Sequence, residues 1–408
     1  MIQSNTKNTK SSIYITNGVK IKTHIILLIF SLLSLHLSAQ DKYKVVLPEG
    51  GEWEFDGDNT EFAPGEQVKL RYVGSKNIAR VELTALPTKI TLSPETLTLG
   101  VGFTTTLIPE IYPDFENVDK RVTWESNKTS VATVNENGKV TAVSPGTATI
   151  TVKTVTNEKT AEITLIVPYF SVSATKKILF SPGNLQYNTG TKKFQFAASQ
   201  TECMGKDQTT IKDLLGWGMW LDEITDEAKI TNISTTGSDY SPELNGTEFK
   251  NNKTTVDGKV WFTLSKAEWD YLLKTRTNAT EKYGVATVGD VNGLILLPDD
   301  FVFPEGVSFK SGIASTNGST YYKTKNEYTT ETWAELENRG AVFLSAAGYR
   351  YGTDQVTNIG WYGKYWTSTI SDDTFSYYMH IQSNDVYCKT YYRFAGQPIR
   401  LVKEVVVE

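Results

Sequence analysis

Histidine and cysteine set the limits on the chemistry of this chain. His24 and His36 fall within residues 1–39, and His380 is the one histidine beyond them. A single histidine excludes a histidine-cluster metal site, and any Ser-His-Asp or Cys-His arrangement would have to be built around it. Cys203 and Cys388 lie 185 positions apart. In an oxidising compartment they can pair or stay as buried thiols, and spacing leaves both open. No nucleophile elbow, H-E-x-x-H or phosphate loop occurs. Neighbouring acids such as Asp299-Asp300 and Asp372-Asp373 would point apart on a strand, so they read as turn and cap residues rather than an acid–base pair. No catalytic residue, metal site or cofactor is expected.

The chemistry that remains is recognition. Between Gly340 and Lys403 lie nine of the 21 tyrosines, and the pattern there has period two. Phe375, Tyr377, Met379 and Ile381 alternate with Ser376, Tyr378, His380 and Gln382. After a Ser-Asn-Asp turn at 383–385, Val386, Cys388, Thr390, Tyr392 and Phe394 alternate with Tyr387, Lys389, Tyr391 and Arg393. This predicts a β-hairpin with one core face. The other face carries Tyr378, His380, Tyr387, Lys389, Tyr391 and Arg393, rings interleaved with cations, which suits a ligand surface. Trp361 and Tyr362, in a Gly-flanked loop, are expected at its border. Tyr, Trp and Arg serve glycan and protein ligands alike, so either partner fits.

The elements that must position this hairpin follow from the rest of the chain. Residues 1–39 read as a signal peptide: four lysines and no acid, a 13-residue stretch from Ile25 to Leu37 broken only by two serines and a histidine, then a small-residue site at Ala39. The run is shorter than the ~20 residues of a membrane span, so no integral membrane segment is expected after cleavage. Export to the periplasm, cell surface or exterior follows. The remaining chain has 37 basic and 46 acidic residues, a charge of −9, which argues against a nucleic-acid partner.

Residues 40–86 read as a small all-β unit. Residues 87–167 hold seven short strand-like runs separated by Ser93-Pro94, Asn137-Gly138 and Pro145-Gly146, which predicts a β-sandwich with Trp124 as its core plug. Pro168 marks a joint, and 168–408 forms a head with a helix over Leu264–Thr275, capped by Ser265 with Glu268 three residues on. A second helix is expected over Thr332–Asn338, and the polar stretches 222–258 and 310–330 are expected to be loops. The fold class is multidomain: an all-β N-terminal part, then an α+β head.

Two stretches resemble known families. VTWESNKTSVATVNENGKVTAVSPGTATITV, within 87–167, resembles the bacterial immunoglobulin-like group 2 domain, which implies a spacer in a surface or adhesive protein. Residues 168–404 resemble the Fibrobacter succinogenes major paralogous domain, of the formylglycine-generating-enzyme type of C-type-lectin-like fold. The residues that carry this are ILFSPGNLQYN (178–188), WFTLSKAEWDYLL (261–273), NGLILLPDDF (292–301) and YWTST followed by G-x-x-I-R-L-V at 396–402. Formylglycine-generating enzymes use copper on two closely placed cysteines, which Cys203 and Cys388 do not match. Calcium-dependent lectins use Glu-Pro-Asn or Gln-Pro-Asp with Trp-Asn-Asp, and these triplets are absent. The resemblance therefore implies a binding head with an adhesin-like role. A structural subunit of a surface assembly is the alternative, and an enzyme related to the formylglycine-generating type a more remote one.

Overall fold

The computed structural model describes residues 87–114, 118–352 and 355–407; ahead of residue 87 it describes the backbone of six strands alone. Of the expected leader, only the strand Ser11–Tyr14 is described, paired antiparallel with Tyr43–Leu47. The apolar run and the Ala39 site lie outside the described residues. In the 40–86 stretch, Glu52–Phe55, Gln67–Val73 and Ile78–Glu82 form one antiparallel sheet.

Two compact units divide the chain: one holds most of the residues up to Leu165, the other runs from Ile166 to the C-terminus with two short earlier segments. In the first, all seven expected runs are strands, and Thr96–Thr98 and Glu110–Tyr112 are added. A four-stranded sheet orders Val122–Ser126, Gly146–Thr154, Thr160–Val167 and Thr96–Thr98. The alternation of Gly146–Thr154 is visible as burial: Ala148, Ile150 and Val152 are inside and Thr147 is out. This is what period two on a half-buried sheet requires. Trp124 differs from the expectation. It is only partly buried, because Val122–Ser126 is the edge strand of its sheet. The ring lies against Gly138, where a Cβ would sit 2.8 Å from it and φ is +75°, so the turn glycine is needed on both counts.

In the second unit, α1 (Lys266–Asp270) begins at the predicted capping box. Ser265 Oγ accepts from the Glu268 N–H at 3.2 Å and Glu268 accepts from the Ser265 N–H at 2.8 Å. The chain continues as one π-helical stretch, Tyr271–Thr275. Trp269, Leu272 and Leu273 turn inward, and Ala267 is exposed. Helix α2 (Thr330–Asn338) starts two residues earlier than expected, capped by Thr329. The 222–258 and 310–330 stretches are not bare loops: they hold Glu227–Ile230, Glu248–Phe249, Thr254–Val256 and a 3-10 turn at Ser319–Thr324 among other short pieces.

The central antiparallel strands are β1 (Tyr283–Val288), β2 (Val291–Leu296) and β3 (Val342–Ser345), which pair in the order β1-β2-β3. A second sheet holds β4 (Gly363–Ile370), β5 (Phe375–Gln382) and β6 (Asp385–Tyr392), with β6 at its edge. Lys177–Phe180, near the start of the unit, pairs with Val402–Val405 at its end. One core cluster joins Trp269, Leu272, Val285, Leu294 and Leu344 to Tyr365, Met379 and Ile381. A separate cluster joins Trp217, Trp220, Ile399 and Leu401 to Trp366 and Tyr378. The β4–β5 pair is thus buried on both faces. Among the described residues no helix is long and apolar enough to cross a membrane.

Candidate functional site

The hairpin forms in the expected register. Ser376 lies opposite Tyr391, Tyr378 opposite Lys389, and His380 opposite Tyr387; the turn is Ser383-Asn384, one residue shorter than expected. Opposite residues share a face, so the alternation does bring Tyr378, His380, Tyr387, Lys389 and Tyr391 together. Tyr362 joins them with its ring 5.8 Å from His380, and Trp361 packs edge-on against Tyr362.

Openness of this face is where the expectation needs correction. Tyr378 and His380 are each 4% exposed, while Tyr387 is 41% and Trp361 43% exposed. On the inner strand β5, Tyr378 belongs to the second core cluster; on the edge strand β6, Tyr391 is only partly buried against that cluster and Tyr387 is exposed. Arg393 leaves the face altogether. It follows the end of β6, is buried, lies 5.7 Å over the Trp217 ring and donates to the Asp373 carbonyl. Its guanidinium is not a free fork for a ligand.

The centre of the face is a lysine the alternation argument missed. Lys364, opposite His380 on β4, is 5% exposed. Its Nζ lies 3.5 Å from the ring centres of both Tyr349 and Tyr391 and 5.3 Å from that of Tyr378. Burial, helped by Lys389, pushes the Lys364 ammonium down to about 7, while the negative ring faces favour its charged form. Burial and the same Lys389 charge push His380 down to about 4. The imidazole is neutral at pH 7, so its 3.8 Å approach to Asp385 is not an ion pair. Lys389 itself pairs with Asp385 at 2.7 Å and lies 4.6 Å over Tyr387. The signal for Lys364 was present: in GKYWTST the lysine is two residues before Trp366 and therefore on its face.

The other candidate groups are structural. Cys203 and Cys388 are free thiols, and burial raises Cys388 to about 12, where it is a poor nucleophile at neutral pH. Asp299 accepts from Arg276 at 2.9 Å. Asp372 accepts the Thr374 and Phe375 N–H groups at 2.8 and 2.9 Å, the turn-capping role read from the sequence. Among the described residues no three His, Cys, Asp or Glu converge as a metal set.

Residues 87–165 match the family of bacterial Ig-like domains (group 2). An uncharacterised protein of Clostridium acetobutylicum is 34% identical over 25% of this chain and 27% of its own length. A lacto-N-biosidase of Bifidobacterium bifidum is 42% identical over 17% of this chain and 6% of its own. The chain thus spans about a quarter or less of these curated relatives. Among solved structures, an intimin mutant of EHEC O157:H7 aligns with 19% identity and a TM-score of 0.17 over 33% of this chain and 53% of that one.

Proposed function

We propose that the protein is an exported, adhesin-like binding protein in which the Ig-like domain is a spacer and residues 168–408 form a C-type-lectin-like, non-catalytic head. Its mixed architecture, with terminal strands paired and short helices packed against sheets, supports the α+β reading. The observation that carries the ligand-face reading is the exposed pair of large rings, Tyr387 and Trp361, bordering a cationic, tyrosine-lined sheet edge. The ligand, a glycan or a protein, would meet Tyr387, Lys389, Tyr391, Trp361 and Tyr362. Tyr378, His380 and Lys364 would support that rim from beneath. Rigid rings backed by packed neighbours lose little conformational freedom on binding.

The test is a glycan array run beside a protein pull-down with the full mature chain, repeated with Tyr387→Ala/Trp361→Ala. The reading expects a ligand whose binding falls by an order of magnitude or more in the variant while folding is unchanged. Equal binding by both proteins would place the ligand elsewhere.

A further inference from the structure

A second feature of the head lies away from the hairpin face. Strand Tyr349–Tyr351 presents Tyr349 and Tyr351 to the rings of Tyr391 and Tyr392, and alternation sends Arg350 the other way. Arg350 is 6% exposed and lines a cavity of about 130 Å³ together with Lys212, Leu215, Ile230, Thr231 and Val356. That space holds several waters or one small ion.

The cavity carries two cations and no described carboxylate to balance them. Arg350 donates to the Gly352 carbonyl and is hydrogen-bonded to the Tyr240 side chain, and Lys212 donates to the Gln208 carbonyl at 2.8 Å. Among the described residues neither makes an ion pair. Asp213, the acid next to Lys212 in sequence, is otherwise engaged: it accepts from the Met204 N–H at 2.7 Å and the Gln208 amide at 2.6 Å; Asp354, near Arg350 in sequence, lies outside the described residues. The cations also work against each other. Burial lowers the pKa of both, and the charge of Arg350 lowers Lys212 further. Two like charges facing one partly apolar space are unfavourable until an anion enters, and low local polarity strengthens their attraction for it.

We propose that the Lys212–Arg350 cavity binds a small oxyanion: phosphate, sulfate or a carboxylate. Guanidinium supplies a planar pair of donors and ammonium a point charge, the combination that suits tetrahedral and planar oxyanions alike.

The full chain would be melted in inorganic phosphate, sulfate or acetate against chloride at matched ionic strength. Binding at roughly ten times Kd should raise Tm by about 3–5 °C, with the three ions ranking the chemistry. Isothermal titration with the best ion gives Kd directly. Lys212→Met should weaken binding at least tenfold while the protein stays folded, and Arg350→Met should weaken it further if it folds. No oxyanion-dependent shift over chloride, or an equal shift in Lys212→Met, would overturn the proposal.

Discussion

The Ig-like domain and the hairpin sheet of the head are both antiparallel β, yet they use alternation differently. In the Ig-like domain the inward positions are aliphatic: Val131, Val140, Ile150, Val152, Ile163 and Leu165 are essentially fully buried, with Thr and charged residues between them. In the head, the largest fully buried side chains include Trp217, Trp220, Trp269, Trp366, Tyr365 and Arg400. There the sheet has a core on each side, so a polar or aromatic residue can be as buried as an aliphatic one. Alternation reports which residues share a face; it reports burial only when one face is wet.

The contrast should break most visibly at Arg400. Its guanidinium donates to the Ser181 carbonyl at 3.0 Å and to the Phe343 carbonyl, tying the start of the head to β3. Arg400→Met should cost about 3–5 kcal/mol by stranding those acceptors, seen as a lower urea midpoint for the head transition. Among the described residues of the Ig-like domain the buried polar side chains are two threonines, Thr98 and Thr154, and none is charged. Ile150→Ala there should cost about 2–4 kcal/mol by leaving a cavity, read in the transition of that unit.

Acid sharpens the comparison further. His380 has a folded pKa of about 4 against an ordinary 6.5. Below 6.5 the unfolded chain takes up the proton first, so stability of the head should fall as pH drops from 6.5 toward 4, by on the order of 2 kcal/mol. His380→Gln should flatten that limb in pH-dependent denaturation. Lys364 works in the same direction over a higher pH range. Its folded pKa of about 7 against 10.5 means stability should rise as pH climbs above 7, and Lys364→Met should stabilise the head at pH 7 by about 1–2 kcal/mol. A destabilised variant would show that the charged lysine in its ring cage is a net gain. The smallest effect is expected at the rim: Tyr387→Ala should change stability by about 0.5 kcal/mol or less, since that side chain stays partly in solvent.

Much of the architecture was legible. The capping box at Ser265, the hairpin register and the Ig-like strands all rest on local chemistry that a single stretch of chain contains. The motifs behind the resemblance of the head also make physical sense. Gly293 in NGLILLPDDF admits no side chain, since a Cβ would lie 2.4 Å from the Leu344 carbonyl. Asn184 of ILFSPGNLQYN is buried against Tyr365 at 3.3 Å, and Arg400 of the last motif bridges two segments. These residues build the core; none of them lines the proposed ligand face. Short elements in 222–258 escaped because two- to four-residue pieces carry too little periodicity to read.

By itself the sequence determined which side chains alternate, where chains turn and cap, and that one histidine beyond residue 39 and two distant cysteines leave little transition-metal chemistry. Local sterics and hydrogen bonding decide those matters within a few residues. Tertiary structure alone decided that Tyr378 and His380 are interior, that Arg393 is turned onto Trp217, and that Lys364 sits among three rings. Each depends on what segments far away in sequence place against the sheet, and period two cannot distinguish a face met by solvent from a face met by a second core.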